Sequence, residues 1–480
     1  MSPAPDLRVF LDQLRAGDEL IEIHRATRTD GEISAIVKEV EPAGAPAVLF
    51  HNVVGSDLPV VAGVFGTRSR IASAVGQPQY GLLEHALTLI EEGGPAPVTV
   101  ARDVAPVQQI VQDAEDVELA RLPFGVHSKD DAGTYITSGV VLARDDLTGT
   151  INTGMYRMMI TGRRTLTVNA APDHDLGRVI ARARAAGRPV EIAIVIGHHP
   201  AYAIASQLKN PTSVDTHELV GALLGAPLRV TPGATVDLPI PADAEIVLEG
   251  RVDPTNMEAE GPFGEFSYYY GSAQAPVCTV TAVTRRADAI FHDLHPTHAE
   301  HRCLWLFPGR EARLLQAVRR SVPGVRDVRI PFMGGSLSAY IQVEKQKQAD
   351  GTQAILAALA SDHFIKHVYV VDEDIDIHDD QQVLWALNVR FQAGRDLMVL
   401  PNQKGIRMDP SARRVNPESA TELVTDKLGF DATRPFFPAF PDRADRPVAA
   451  YADVNLASFL DENDLDRVQS WLSFRQGAGE

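Results

Sequence analysis

Cysteine is almost missing from this chain: 2 residues in 480, Cys278 and Cys303. That rules out a disulfide framework and a cysteine-rich zinc site, and it suits a reducing compartment. No stretch reaches the roughly 18 apolar residues a membrane-crossing helix needs. Runs such as Ile192–Gly197 read as short core strands. The opening MSPAPDLRVFLDQLRAG carries charges throughout and has no apolar signal core, so a cytoplasmic globular protein is expected. Positive charge is in deficit, with 45 Lys and Arg against 63 Asp and Glu and a net charge of −18. Nucleic acid and anionic membrane are therefore poor partners, although a few arginines can still set the potential inside a pocket. Also missing are G-x-G-x-x-G after a strand, the Walker lysine motif and G-x-S-x-G. Dinucleotide dehydrogenases, nucleotide kinases and serine hydrolases lose ground accordingly.

The composition that remains, 45% hydrophobic and 22% charged, is that of a globular protein too long for one core. Leu7, Phe10, Leu11 and Leu14 form one stripe of a helix over Leu7–Ala16. Strands are expected at Ala47–Phe50 and Val60–Val64, then a helix over Gly81–Glu91 that ends at Gly93-Gly94-Pro95. Runs rich in Val, Ile, Thr and Tyr follow at Thr134–Arg144, Thr150–Ile160, Thr165–Ala170, Val190–Ile196 and Val277–Arg285. With a helix over Asp175–Ala186 between two of them, they predict a β-rich, barrel-like middle domain. After Pro308-Gly309 the rhythm becomes α/β. Helices are expected at Arg310–Ser321, Thr352–Ser361 and Asp379–Arg390, and strands at Val325–Pro331, Ser338–Glu344 and His367–Val371. Asn455–Arg475 repeats Leu and Trp on a helical period.

Glu249–Gly271 stands out, with two carboxylates flanking a turn-forming core at Glu260-Gly-Pro-Phe-Gly-Glu265. On a helix, residues five apart would miss each other; on a glycine-proline loop they can be aimed at one point. An acidic surface turn is the competing reading. Within Ile151-Asn-Thr-Gly-Met-Tyr-Arg157, Asn152 and Arg157 have opposite parity in a plain strand, so a bulge near Gly154 is expected to bring them to one side. An arginine beside an amide suits a carboxylate substrate; a solvated strand face is the alternative. His174 lies just before a helix, where exposed polar residues are common. His295, His298 and His301 share a three-residue spacing, but Pro296 interrupts the helix. They lack the four-residue histidine spacing of a helical zinc site, so structural hydrogen bonding is favoured over a zinc site.

Taken in order, these residues resemble the UbiD family of decarboxylases, which use prenylated FMN. The resemblance runs over roughly 122–435 and is carried by Asp131-Ala-Gly-Thr-Tyr-Ile-Thr137, Asn152–Arg157, Glu249-Gly, and Glu260–Glu265. Further on it is carried by Val371–Asp376, Val383–Arg390 and Lys427-Leu-Gly-Phe-Asp-Ala-Thr433. It implies an α/β (α+β) fold with a central split β-barrel that binds the flavin. The expected division is an N-terminal α/β region over 1–120, the split barrel over 121–305, an α/β oligomerisation domain over 306–445 and a helical tail over 446–480. The implied reaction is reversible decarboxylation of an aromatic, heteroaromatic or α,β-unsaturated acid through a covalent flavin–substrate adduct. Removing CO2 from an sp² carbon leaves charge that no side chain can absorb, so a cofactor must.

On that pattern Arg157 and Glu260 form an ionic pair and Glu265 is the proton donor. Phe263, Phe266 and Tyr268–Tyr270 are expected to keep the donor dry, and Phe436-Phe437 to pack in a core or line the pocket. The resemblance assigns the cofactor to Asn152, Thr153, Met155, Tyr156, Arg157, Asp173, His174, Ala205, Ser206, Gln207, Leu208 and Lys427. The last of these resembles the family's lysine that reaches the flavin phosphate. A divalent ion, Mn2+ or Mg2+, is assigned to Asn152, His174 and a third ligand, with K+ near Ala205–Leu208. Where the family has its third metal-side glutamate, this chain has Thr216. Glu218 is the expected substitute, with Asp215 or Thr216 itself as the alternatives; Asp215 and Glu218 also suit a helix N-terminus. The implied partners are a small acid substrate, a flavin prenyltransferase that supplies the cofactor, and further copies in a homodimer or hexamer. An FMN-dependent oxidoreductase on the same barrel and a catalytically inactive assembly homologue are the competing readings.

Overall fold

The computed structural model describes residues 5–208, 214–332, 335–417, 422–444 and 454–468. The chain divides into two compact units. One takes the described residues of Met1–Glu41, Ala45–Arg313 and Arg407–Pro410; the other takes those of Pro42–Gly44, Leu314–Ile406 and Ser411–Glu480.

The first unit begins with the Leu7–Ala16 helix, which Asp6 caps by accepting from the Val9 amide at 3.0 Å. Its apolar stripe of Leu7, Phe10, Leu11 and Leu14 is buried, as the spacing requires. A four-stranded sheet follows, ordered Leu20–Ile23, Ala47–Phe50, Val60–Ala62 and Phe291–His292. Its last strand delivers Asp293 and His295 from far down the chain.

The central sheet is antiparallel and curled into a half barrel, in the order Thr165–Thr167, Tyr270–Arg285, Ile246–Gly264, Val190–Ile196, Val140–Arg144 and Ile151–Met155. Ile110–Asp113 adds a seventh strand alongside Tyr270–Arg285. Val190–Ile196 is buried at nearly every position because both faces are covered, which explains its continuous apolar run. The helix Asp175–Ala185 covers one side, turning Leu176, Val179, Ile180 and Ala183 into the shared core.

Two expectations are corrected here. Glu260–Glu265 is not an isolated glycine-proline loop. A 19-residue strand, Ile246–Gly264, runs almost through it against Tyr270–Arg285, and only the tip beyond Gly264 turns. Register shifts after Glu249, Asp253 and Glu260 absorb the glycines and prolines that made the segment look irregular. Nor is there a bulge at Gly154: Ile151–Met155 pairs with Val140–Arg144 in unbroken register.

In the second unit a mixed sheet runs Val325–Arg329, Ser338–Val343, His367–Asp372, Leu423–Asp431 and Leu397–Lys404, with helices Asp350–Ser361 and Asp380–Arg390. The acidic run after Val371 has a structural use. Arg390 pairs with Asp372 at 2.8 Å and with Asp374 at 2.7 Å, and Arg434 lies 3.2 Å from Asp372. Phe436 and Phe437 are 56% and 90% exposed, so the packing expected of them is not found within this unit. Residues 462–468 are helical, and the remainder of the tail helix expected to Arg475 lies outside the described residues.

Glu249 is fully buried and accepts from the amides of Ala234 (2.8 Å) and Thr235 (2.6 Å) and from Thr235 Oγ1 (2.9 Å). Removing it strands two backbone donors away from water. Glu249→Ala is expected to lower unfolding stability by about 2–4 kcal/mol in urea titrations, and Glu249→Gln by less. An unchanged midpoint for the alanine variant would refute this.

Candidate active site

Ile151–Met155 ends because Tyr156 folds back over Gly154, where a Cβ would come within 2.9 Å of the tyrosine ring. The chain leaves the sheet there, and Arg157 enters the site from the break. No hydrogen bond among the described residues joins Asn152 to Arg157; Asn152 Nδ2 lies 3.4 Å from Asp175 Oδ2 instead. Gly261, at φ +98°, lets the opposing strand kink directly after Glu260.

Arg157 sits between the two carboxylates. Its Nε lies 2.8 Å from Glu260 Oε1 and its Nη2 2.6 Å from Oε2, while Nη1 donates to Glu265 Oε1. Both Glu260 oxygens are occupied, because Asn169 Nδ2 also donates to Oε2 at 2.6 Å. The Arg157 and Glu265 side chains are 10% and 13% exposed and that of Glu260 is 0%. The guanidinium stacks over Phe263 at 4.8 Å, and Phe263 meets the Tyr135 ring at 4.5 Å. Burial opposes the charge on Arg157, but its hydrogen bond to Glu260 and the charge of both carboxylates outweigh this and raise its pKa. Burial, then the charge of Glu260, pushes the Tyr135 hydroxyl up. Phe263 and Phe266 are both buried; Phe263 lies under Arg157, and Phe266 packs on Trp305 with ring centroids 4.5 Å apart. Tyr268, Tyr269 and Tyr270 are 60%, 59% and 45% exposed, contrary to expectation. Asn169 escaped the sequence reading because its segment showed only strand propensity. Its place beside Glu260 depends on a backbone bond from its amide to Arg157 O at 3.1 Å.

At the other end of Ile151–Met155, the helices Asp175–Ala185, Pro200–Gln207 and Thr216–Leu224 all pack on the strand. Asn152, Thr153, Met155, Tyr156, Asp173, His174, Ala205–Leu208 and the Asp215–Glu218 turn therefore come from elements gathered on one strand. Tyr156 and His174 have ring centroids 6.1 Å apart. The carboxylate of Asp215 is committed: Oδ1 accepts from the His217 amide and Oδ2 from the Ile151 amide, both at 2.9 Å. It caps the helix and ties it to the strand. Thr153 Oγ1 and Thr216 Oγ1 are buried with no hydrogen-bond partner among the described residues. Glu218 stands in the first turn of the same helix. Lys427 belongs to the second unit, where Nζ lies 3.4 Å from the carbonyls of Leu359 and His363 and burial lowers its pKa.

The histidine run does not form a helical metal face. His298 precedes the helix Ala299–Trp305 as its N-cap, and His295 turns instead to Asp293. His127 Nε2 lies 2.9 Å from Asp293 Oδ1, and Thr137 Oγ1 and the Leu294 amide donate to the same oxygen at 3.2 and 3.1 Å. Burial opposes both charges. Even so, His127 and His295 hold Asp293 far below the usual carboxylate range, and Asp293 raises His127.

An arginine held between two carboxylates on a curled half-barrel sheet has the groups of a candidate acid–base site, and comparison with known proteins assigns the class of the protein. The sequence profiles of the 3-octaprenyl-4-hydroxybenzoate carboxy-lyase N-terminal, Rift-related and C-terminal domains match residues 11–90, 98–299 and 305–432. The anhydromevalonate phosphate decarboxylase of Methanothermobacter thermautotrophicus is 33% identical over 432 residues, spanning 89% of this chain and 97% of its own. The UbiD-class enzyme HmfF from Pelotomaculum thermopropionicum, solved with FMN, superposes with a TM-score of 0.89 at 38% identity, covering 95% of this chain and 100% of that one. The 3,4-dihydroxybenzoic acid decarboxylase AroY of Klebsiella pneumoniae gives 0.83 at 28% identity, covering 94% and 99%. The fold and site define a carboxy-lyase. The chain belongs to the UbiD family. No helix among the described residues is long and apolar enough to cross a membrane.

Burial holds six histidines neutral in the fold, with pKa values lowered to about 3 (His198), about 4 (His199, His217, His295 and His301) and about 2 (His298). Unfolded histidines titrate near 6.5, so below that pH the unfolded chain binds more protons. The stability they contribute is complete above about pH 6.5 and drains away as the pH falls towards about 4. His127, with its raised pKa, works in the opposite sense. Unfolding free energy should drop by about 5–7 kcal/mol between about pH 7 and about pH 5.5, about 1 kcal/mol for each of the six rings less the smaller opposing contribution of His127. A flat urea midpoint over that range would contradict the burial of these rings.

Proposed function

We propose that this carboxy-lyase decarboxylates an aromatic, heteroaromatic or α,β-unsaturated acid, reversibly, with prenylated FMN bound on its half barrel. The observation that carries the reading is the buried Arg157 between Glu260 and Glu265. HmfF, its relative, is known in complexes with FMN and with prFMN. When bound, the flavin supplies the electron sink that no side chain of this chain offers.

The two carboxylates are not equivalent. Glu260 has both oxygens hydrogen-bonded by Arg157 and Asn169, three bonds in all, so it orients the arginine. Glu265 commits Oε1 to Arg157, while Oε2 makes no hydrogen bond among the described residues. Glu265 is therefore the group that can carry a proton to carbon after CO2 departs, and Arg157 keeps its carboxyl aimed. The buried Phe263 under Arg157 keeps bulk water from competing.

The phosphate end of the cofactor fits the residues gathered on Ile151–Met155. The unpartnered Thr153 and Thr216 hydroxyls suit phosphate oxygens or their shell. Asn152, His174 and Glu218 would hold a divalent ion such as Mn2+ or Mg2+. The capping role of Asp215 supports Glu218 as the third ligand. K+ would lie near Ala205, Ser206, Gln207 and Leu208.

The test is co-expression with a flavin prenyltransferase, then CO2 release from the purified holoprotein. The acids to screen are 3,4-dihydroxybenzoate, vanillate, cinnamate-type and heteroaromatic acids, and anhydromevalonate phosphate. Flavin-loaded protein that turns over none of them would overturn the reading. Glu265→Gln should cut kcat by about 10²–10⁴-fold while flavin content is unchanged; near-normal turnover would remove Glu265 as donor. Glu218→Gln should lower the metal bound per protein, measured by elemental analysis, without loss of stability. Asp215→Ala should instead cost about 1–2 kcal/mol of stability through the lost cap. If only Asp215→Ala depletes the metal, the ligand assignment is reversed.

A further inference from the structure

The segment Asp131-Ala-Gly-Thr-Tyr-Ile-Thr137 touches neither Arg157 nor a carboxylate of the site through a hydrogen bond given above, yet it is joined to the catalytic hairpin at several points. Asp131 Oδ1 accepts the Gly264 amide at 2.8 Å, while Oδ2 accepts the amides of Ser128 and His127 at 2.8 and 3.1 Å. The Ala132 amide donates to Pro262 O at 2.8 Å, and the Asp130 amide to the Tyr270 hydroxyl at 3.1 Å. The loop therefore grips both limbs of the hairpin, one before and one after Glu265. The approach is close: a Cβ on Gly264 would lie 2.2 Å from Ser128 Oγ. Behind the loop, the His127 ring is fixed by Asp293, and Asp293 by Thr137 of the same segment.

Between the buried Phe263 and Phe266, Gly264 has no side chain with which to fix the chain, so its backbone bonds matter there. Gly264 immediately precedes Glu265, so a bond to its amide sets the direction in which the chain delivers that side chain. One carboxylate accepting three amides from two segments is a rigid link, because moving either segment strands buried donors.

We propose that Asp131 is a positioning residue for the proton donor. By holding the amides of His127, Ser128 and Gly264 together, it sets the aim of the Glu265 carboxylate at the reacting carbon. The inference rests on the reading of Glu265 as donor. Asp131 itself touches no reacting atom.

The experiment compares Asp131→Asn and Asp131→Ala with Lys129→Ala, an exposed neighbour, in holoenzyme loaded with prenylated FMN. Asparagine can still accept the Gly264 amide but offers one acceptor oxygen in place of two. Hydrogen–deuterium exchange of the peptide spanning residues 260–266 should rise at least about tenfold in Asp131→Ala, less in Asp131→Asn and not in Lys129→Ala. With the screened acid that is turned over fastest, kcat should fall about 10- to 100-fold in Asp131→Ala, with KM and bound flavin changed by less than about twofold. The solvent deuterium isotope effect on kcat should also increase, because proton delivery becomes limiting. A merely structural role lowers the number of active molecules and leaves that isotope effect unchanged.

Unchanged exchange over 260–266 in Asp131→Ala overturns the link itself. Raised exchange with an unaltered kcat, or with an unaltered isotope effect, overturns the positioning role. Glu265→Gln, assayed alongside, reports separately on the underlying reading: if that variant stays active, the donor assignment fails whatever Asp131 does.

Discussion

Everything at this site depends on a buried cation that must be shared by two anions. Arg157 is almost out of water, and one positive charge there would be costly without Glu260 and Glu265 on either side. The bidentate pair with Glu260 answers most of that cost and fixes the plane of the guanidinium. The second contact, to Glu265, spends only one of that carboxylate's oxygens. The asymmetry follows from geometry: a planar fork can face one carboxylate squarely and leaves a single N–H for another. The buried partner thereby becomes structural, and the partner near the hairpin tip keeps a free oxygen.

The fold serves this arrangement by bringing together chain segments a hundred residues apart. Arg157 leaves a strand at the edge of the half barrel, whereas Glu260 and Glu265 end a long hairpin near its other side. Two devices make them meet. Tyr156 folding over Gly154 stops one strand before Arg157, and the kink at Gly261 bends the other just after Glu260. Asn169 and Asp131 then secure the two limbs by hydrogen bonds to a side chain and to a backbone amide. The histidines behind the loop are a separate matter. They are neutral rings around one Asp293–His127 ion pair, and their burial makes the first unit sensitive to acid.

Much of the architecture could be read from local pattern because hydrophobic periodicity is a local property. The Leu7–Ala16 helix, the Ala47–Phe50 strand and the buried run Val190–Ile196 all fall where their spacing places them. Pattern misled where glycine and proline sit inside long strands. Glu249–Gly271 has the composition of a loop, yet the sheet carries its residues through three register shifts to Gly264. The tyrosines after Glu265 looked like a dry wall by composition, but a hairpin tip projects its side chains outward, and they are exposed. Asp215 was open to two roles, cap or ligand, and its bonds to the amides of His217 and Ile151 show the capping one.

By itself the sequence determined the kind of protein this is, since the chemistry needs particular residue types in a particular order: an arginine, two glutamates five apart, and the motifs of a carboxy-lyase around them. Tertiary structure alone decided what each carboxylate can do. Whether an oxygen is free depends on neighbours such as Asn169 and Arg157 that approach from other strands, and no spacing along the chain encodes those distances. It also decided that a strand break before Arg157, a register shift after Glu260 and the turn at Glu265 carry the site. Side-chain direction is local, but the point where two directions converge is a property of the whole sheet.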